Sequence, residues 1–128
     1  MSAFVHPTAD VEEGAVLGEG TRIWHQGHVR RNAVIGADCN LGKNVFVDEG
    51  VVIGDRVKIQ NNVSVYHGVE LGDDVFVGMG ARIVGNLTVG ANSVIGMNAV
   101  VTRSAPPRSF LVGAPARDPR PLLKEGIG

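Results

Sequence analysis

A hydrophobic position recurs every six residues along most of this chain. From Val5, every sixth residue is Val, Ile or Leu, through Val11, Leu17, Ile23 and Val29 to Ile95 and Val101. All 17 positions obey the rule, although Val, Ile and Leu together make up only 35 of the 128 residues. A second inward position follows four residues later. It is small at Ala9, Ala15, Thr21, Gly27, Ala33 and Cys39, valine from Val45 to Val75, and small again at Ala81, Ser93 and Ala99. Between the two, three residues past the aliphatic site, Gly, Asn or Asp stands at 13 of 17 places. Those types tolerate the positive φ of a sharp corner. Each hexad therefore predicts a short strand and a corner, which bury nothing until neighbours stack on them. A β-sandwich would need loops of varied length, and the spacing never varies between residues 5 and 101.

A longer period lies over the first. One residue past the aliphatic site, every third hexad reads Gly18, Gly36, Gly54, Gly72 and Gly90, whereas a neighbouring series reads Glu12, Arg30, Asp48, Tyr66, Val84 and Thr102. Repetition at 18 means three hexads per coil, an all-β parallel β-helix of triangular section with three unlike corners. Roughly 5.7 coils fit between residues 5 and 106, a column about 27 Å tall at the usual strand spacing. The domain reading is a β-helix over residues 1–106 and a C-terminal segment, 107–128, that folds back on it or caps it.

Stacking turns the sequence into columns. The second corner carries Glu13, Arg31, Glu49, His67, Gly85 and Arg103, and the first carries Pro7, His25, Lys43, Asn61, Met79 and Met97. Beside the latter run Gln26, Asn44, Asn62, Gly80 and Asn98. Polar groups thus gather on two corners, while the third is mostly glycine and acid. Val16, Val34 and Val52 form an outward apolar stripe suited to burial against another chain. Such prisms are expected to assemble as cyclic trimers.

Composition sharpens this picture. Glycine is 18 of 128 residues, and only four Phe, one Trp and one Tyr occur, so the core must be built from small aliphatic side chains. A formal charge of −1, from 12 basic and 13 acidic residues, argues against nucleic acid as partner. No apolar run is long enough to span a membrane, and the opening MSAFVHPTAD lacks the features of a signal peptide. A cytoplasmic protein is expected. The single cysteine, Cys39, falls at a small inward position and is read as core.

Among candidate chemical groups, His67 sits mid-column on a corner, exposed enough to reach a substrate, and an imidazole suits proton removal from an amine. The alternative makes it a surface residue balanced by Glu49 and Arg31. His25 and His28, in IWHQGH, could orient a subunit contact, hold a polar ladder or act on substrate; His6 reads as a capping or solvent-exposed residue.

The segments IWHQGH, NVFV, VVIGDRVKIQNNVSVY and SFLVGAPAR resemble the hexapeptide-repeat N-acetyltransferases that modify amino sugars on nucleotide carriers. The likeness is strongest to those acting on UDP-linked 3-amino glucuronic acids and dTDP-linked 3-amino-dideoxyhexoses. It covers residues from about 20 to 84 and resumes from about 89 to 117. The resemblance implies a left-handed β-helix, a homotrimer, and acetyl-CoA as cosubstrate bound along the prism between subunits. It implies direct attack of a sugar amine on the thioester, with a proton acceptor and a donor for the oxyanion. His67 and His25 are then the candidate catalytic residues. Gln60, Asn61, Asn62, Tyr66 and Asn86 are expected to bind the acceptor, and Arg103, Gly113, Ala114 and Arg117 the coenzyme.

One departure stands out. Family members carry a long polar excursion where this chain passes directly from Val84 and Gly85 into Asn86. A minimal enzyme, an acetyltransferase for another small amine or alcohol, and a non-catalytic trimeric scaffold or binding module all accommodate its loss. Trimeric β-helices also include the gamma-class carbonic anhydrases, but the positions matching their three metal-binding histidines are Tyr66, Met79 and Val84, so no metal is expected.

Overall fold

The computed structural model describes residues 2–120. The strands are two residues long, from β1 (Phe4–Val5) to β18 (Phe110–Leu111), and each places its ladder aliphatic second. Outward and inward residues alternate along a strand, so the first residue of each faces out. All pairing between the strands is parallel and joins every third one except at β18, giving three sheets that form the faces of a left-handed prism. The first face stacks β1, β4 (Arg22–Ile23), β7 (Asn40–Leu41), β10 (Lys58–Ile59), β13 (Phe76–Val77), β16 (Val94–Ile95) and β18. The second runs from β2 (Asp10–Val11) to β17 (Val100–Val101), and the third from β3 (Val16–Leu17) to β15 (Thr88–Val89). The register advances by 18 residues per coil, as in Ile23 with Leu41 and Val65 with Ile83.

The ladder fills the axis. Ile23, Ile35, Leu41, Ile53, Ile59, Ile83 and Ile95 are each 2% exposed or less, and Val45, Val51, Val57 and Val63 close the gaps from the second inward position. Small side chains suffice because three short strands enclose a narrow triangle. Cys39 is buried here, its Sγ 3.1 Å from the Gly54 carbonyl oxygen.

Corners follow the expected chemistry and extend it. The third residue past each aliphatic site has positive φ from Gly14 to Asn98, including Gln26 and Arg56, both at 57°. Amides there bond coil to coil, as in Asn62 N–H to the Lys43 carbonyl, 2.9 Å, and Asn86 N–H to the His67 carbonyl, 2.8 Å. The glycine column has a steric cause: a Cβ on Gly72 would lie 2.5 Å from the Ala91 nitrogen in the next coil.

Strand pairing passes residue 106. Ala105 bridges Val89, and Leu111 pairs with Ile95, so the last turn advances by 16 residues rather than 18. Pro106 and Pro107 occupy the shortened corner. A narrow hairpin follows, with Val112 antiparallel to Arg117; it lies over the final strand of the second face, where Ala116 N–H donates to the Val100 carbonyl at 2.8 Å. The expected C-terminal segment ends at 128, and its residues 121–128 lie outside the described ones. Among the described residues, no helix is long and apolar enough to cross a membrane.

Candidate functional site

The second corner collects the first group of candidates. His67 is exposed, with Nδ1 3.0 Å from the Glu49 carbonyl oxygen one coil below. A carbonyl only accepts, so Nδ1 carries the proton in this bond and Nε2 is left as the basic nitrogen. The Glu49 carboxylate is turned elsewhere: it takes Arg31 Nε at 3.0 Å. His67 is therefore fixed by the backbone of Glu49, not by its charge. Asn86 follows one coil above, and Tyr66 stands outward beside His67 with its ring 6.1 Å from that of Phe46.

In the same column, Gly85 and then Arg103 stack above His67. The hairpin bearing Gly113, Ala114 and Arg117 closes this end of the second face, and Val100 N–H donates to the Gly113 carbonyl at 3.0 Å. Arg117 Nη1 donates to the neighbouring Ala116 carbonyl at 2.8 Å. Arg103 thus shares the second corner with His67, two coils away, and Gly113, Ala114 and Arg117 lie on the hairpin that closes that end of the second face.

The remaining candidates lie elsewhere. His25 is on the first corner, its ring stacked on His6 with centroids 3.7 Å apart. Asn61 Oδ1 accepts the Lys43 N–H at 2.8 Å and Asn62 Oδ1 accepts Asn44 Nδ2 at 3.0 Å, so both amides serve coil stacking as well. Gln60 and Asn61 line the end of a groove on the first face. Within one protomer, the structure places His25, Gln60 and Asn61 on a different edge from His67 and Asn86.

That groove was not singled out from the sequence. Its widest part, about 820 Å³, is lined by Phe4, Trp24, Arg22, Glu19 and Asp38. It continues past Asn40 and Lys58 through a part of about 370 Å³ toward Gln60. Trp24 Nε1 donates to Asn40 Oδ1 at 2.8 Å, and Phe4 lies 5.3 Å from the indole. The signal was available: Arg22, Asn40 and Lys58 form an 18-residue column like those of the corners.

An ion-pair network covers the start of the second face. His28 Nε2 is 2.7 Å from Glu12 Oε2 and 3.8 Å from Asp10 Oδ2, and Arg30 bonds Asp48 at 3.1 Å. The hydrogen bond from His28, then the Arg31 N–H, hold Glu12 below the usual carboxylate range. Asp10, Glu12 and His28 are the one group of three potential metal ligands among the described residues. Arg30 Nε, 3.6 Å from the same Glu12 oxygen, already supplies positive charge there.

Comparison with known proteins places the fold. No curated protein sequence matches the chain. PerB from Caulobacter crescentus, solved in complex with CoA and GDP-perosamine, is 27% identical with a TM-score of 0.90. The acetyltransferase domain of PglB from Neisseria gonorrhoeae, solved with acetyl coenzyme A, is 23% identical with a TM-score of 0.90. AntD, an N-acyltransferase from Bacillus cereus, is 16% identical with a TM-score of 0.79, over 98% of this chain and 82% of that one. The first two alignments take in 91% of this chain but only 56% and 57% of those proteins, so the chain spans little more than half their length. The bacterial transferase hexapeptide family (six repeats) matches residues 50–85 and 68–103, and the hexapeptide repeat of succinyl-transferase matches residues 32–67. With its unbroken ladder and three parallel faces, the chain carries hexapeptide repeats of the bacterial transferase type and shares the β-helix of these solved structures.

Proposed function

We propose that this protein is an acetyl-CoA-dependent N-acetyltransferase acting on an amino group of a nucleotide-linked amino sugar, and that it works as a homotrimer. The observation that carries the reading is His67: its Nδ1–H is held by the Glu49 carbonyl, which leaves Nε2 as proton acceptor at an exposed corner. PerB, with CoA and GDP-perosamine bound, supports the donor and the class of acceptor.

In this reading the coenzyme lies along the second corner, with Arg103 and Arg117 near its phosphates and the Gly113–Ala114 backbone beside its pantetheine arm. The neutral amine attacks the thioester carbonyl carbon, and Nε2 of His67 takes the proton that the nitrogen sheds. Backbone N–H groups at a corner stabilise the oxyanion. The tetrahedral adduct then collapses, the C–S bond breaks, and the coenzyme leaves as thiolate and is protonated by the imidazolium. The threefold assembly brings the first face of one protomer, with Gln60, Asn61 and Asn62, toward the corner of the next that bears His67, Tyr66 and Asn86. His25, stacked on His6, has a supporting part in that acceptor face.

The test is acetyl-CoA-dependent thiol release with a panel of nucleotide-linked amino sugars. At least one is turned over, and His67→Ala lowers kcat by about 100- to 10,000-fold. Unchanged turnover in that variant hands deprotonation to the substrate. The uninterrupted passage from Val84 to Asn86 favours a second reading, a non-catalytic trimeric module. Absence of saturable acetyl-CoA binding would select it.

A further inference from the structure

We infer that Asp48 is a positioning residue for His67: its carboxylate occupies the main-chain amide that the imidazole would otherwise turn to, and so keeps the proton on Nδ1 and the lone pair on Nε2. Asp48 acts through the ring and touches neither substrate nor coenzyme. The inference deepens the reading of His67 as proton acceptor and rests on it only for the effect on turnover.

The three corners of the prism treat one amide differently. At the first and third corners, the N–H two residues past a ladder aliphatic is bound by the side chain at the same position one coil above. Asn61 Oδ1 takes Lys43, Asp55 Oδ1 takes Ala37 and Asp73 Oδ1 takes Asp55, each at 2.8 Å. On the second corner the residue in that position is His67, one coil above Glu49. An imidazole can serve an amide only by turning an unprotonated nitrogen to it, which would leave the ring's proton on the other nitrogen, Nε2. The observed bond is the opposite one. His67 Nδ1 lies 3.0 Å from the Glu49 carbonyl oxygen, to which it can only donate.

Asp48 accounts for the difference. Its Oδ1 accepts the Glu49 N–H at 2.7 Å, and the His67 main chain adds a further hydrogen bond to the same carboxylate. One side chain thus clasps the backbone at both ends of the imidazole bond. Arg30 Nη1 holds that Oδ1 at 3.1 Å, and the Asp48 side chain is only 17% exposed, so water competes poorly for it. Burial alone would raise its pKa, yet the bonds from the Glu49 N–H and Arg30 keep it below the usual carboxylate range. It is therefore ionised wherever an imidazole is neutral, and an ionised acceptor holds an amide more strongly than a neutral ring nitrogen does. The same corner repeats the device lower down. Glu12 Oε1 accepts the Arg31 N–H at 3.1 Å, and the Glu49 carboxylate is left to take Arg31 Nε at 3.0 Å. In both cases an acid one position before the corner column serves the amide and releases the column's own side chain for other work.

The tautomer is read without any turnover, by nitrogen NMR of histidine-labelled protein at about pH 8, above the ordinary imidazole range. The chain has 4 histidines, and His67→Ala identifies the His67 signals. The parent is expected to show His67 in the Nδ1–H form. Asp48→Ala should convert most of it to the Nε2–H form and lower kcat about 10- to 100-fold, with the KM for acetyl-CoA changed less than about threefold. Asp48→Asn, whose amide oxygen still accepts the Glu49 N–H, should restore the Nδ1–H form. Arg30→Gln removes the ion pair but leaves the clasp, and should keep that form as well. If Asp48→Ala does not fold, Asp48→Leu, which keeps the bulk, takes its place. An Nε2–H ring in the parent, or an Nδ1–H ring in the folded Ala or Leu variant, overturns the inference. A converted tautomer beside parental turnover, or no turnover in the parent, sinks His67 as the base and leaves the positioning role standing. Loss of turnover in His67→Ala, with parental tautomer and kcat in Asp48→Ala, does the reverse.

Discussion

A Cβ placed on Gly85 would lie 2.7 Å from the carbonyl oxygen of His67, one coil below it in the same corner column. That contact is shorter than a side-chain carbon tolerates against backbone, so one of the two corners must shift. Gly85→Ala is expected to destabilise the protein by about 1–3 kcal/mol. If His67 is the base, turnover also falls by about tenfold or more, because displacing a catalytic group by a fraction of its bond length is costly. Thermal unfolding and acetyl transfer on the same preparation separate the two effects. A variant with parental Tm would show that the corner has more room than its geometry indicates.

Gln26 sits at a corner with φ of 57°, where its neighbours in the pattern are glycine or asparagine. A left-handed backbone costs an ordinary L-residue roughly 1–2 kcal/mol, and glycine avoids it at an entropic cost of about half that. The Gln26 N–H bond to Thr8 Oγ1, 2.9 Å, uses only the backbone of Gln26 and is kept on substitution. Gln26→Gly should therefore stabilise the fold by about 0.5–1 kcal/mol, read as a higher urea midpoint at unchanged slope. A lower midpoint would mean that the side chain contributes contacts outweighing the strain.

Four carboxylates are held below their usual range. His28 is the main cause at Glu12, Arg56 at Asp74 and Arg120 at Asp118. At Asp48, burial pushes upward, but hydrogen bonds from the Glu49 N–H and Arg30 outweigh it. A depressed folded value means that the stabilisation is complete above the unfolded value, about 4, and is lost as pH falls through the lower folded one. Tm should thus be insensitive to these groups above about pH 5 and drop below about pH 4. Asp74→Asn should shrink that drop, since Asp74 no longer has to be protonated away from Arg56. An equally steep decline in the variant would assign the acid sensitivity to other groups.

Cys39 is 1% exposed, and burial raises its thiol pKa. Both features oppose formation of an accessible thiolate. An aromatic disulfide reagent at pH 8 should leave the native protein unmodified and react once per chain after denaturation. The native rate should track global unfolding, because the residue lies inside a stack that opens only cooperatively. Rapid labelling under native conditions would point to local opening between the second and third coils.

The repeat was legible because its cause is local and uniform. Each aliphatic of the ladder stands second in a two-residue strand, so spacing alone placed Ile59 in the core and Lys58 outside it. Composition at corners was a weaker guide. Arg56 adopts the left-handed conformation because the stack on either side dictates it, whatever its own preference. The contraction of the last turn was not foreseen, since nothing in the spacing up to Val101 announces a turn two residues short. The site was legible only in parts. Columns put His67 below Gly85 and Arg103, yet the sequence did not reveal that Glu49 would hold His67 by its backbone while giving its carboxylate to Arg31. Nor did it show that Trp24 would lean across to Asn40 and turn an ordinary face into a groove. Those outcomes depend on which rotamers neighbours in adjacent coils leave open.

The contracted final turn has a bearing on solubility. A stacked parallel solenoid could in principle recruit further strands at its rim indefinitely, as fibrils do. Here the rim is broken at Pro106 and Pro107, which have no amide hydrogen to offer, and is roofed where Ala116 and Gly113 occupy the partners of Val100. An incoming chain therefore meets no continuous template, and fibrillar growth from this end is opposed by the same twelve or so residues that close the prism.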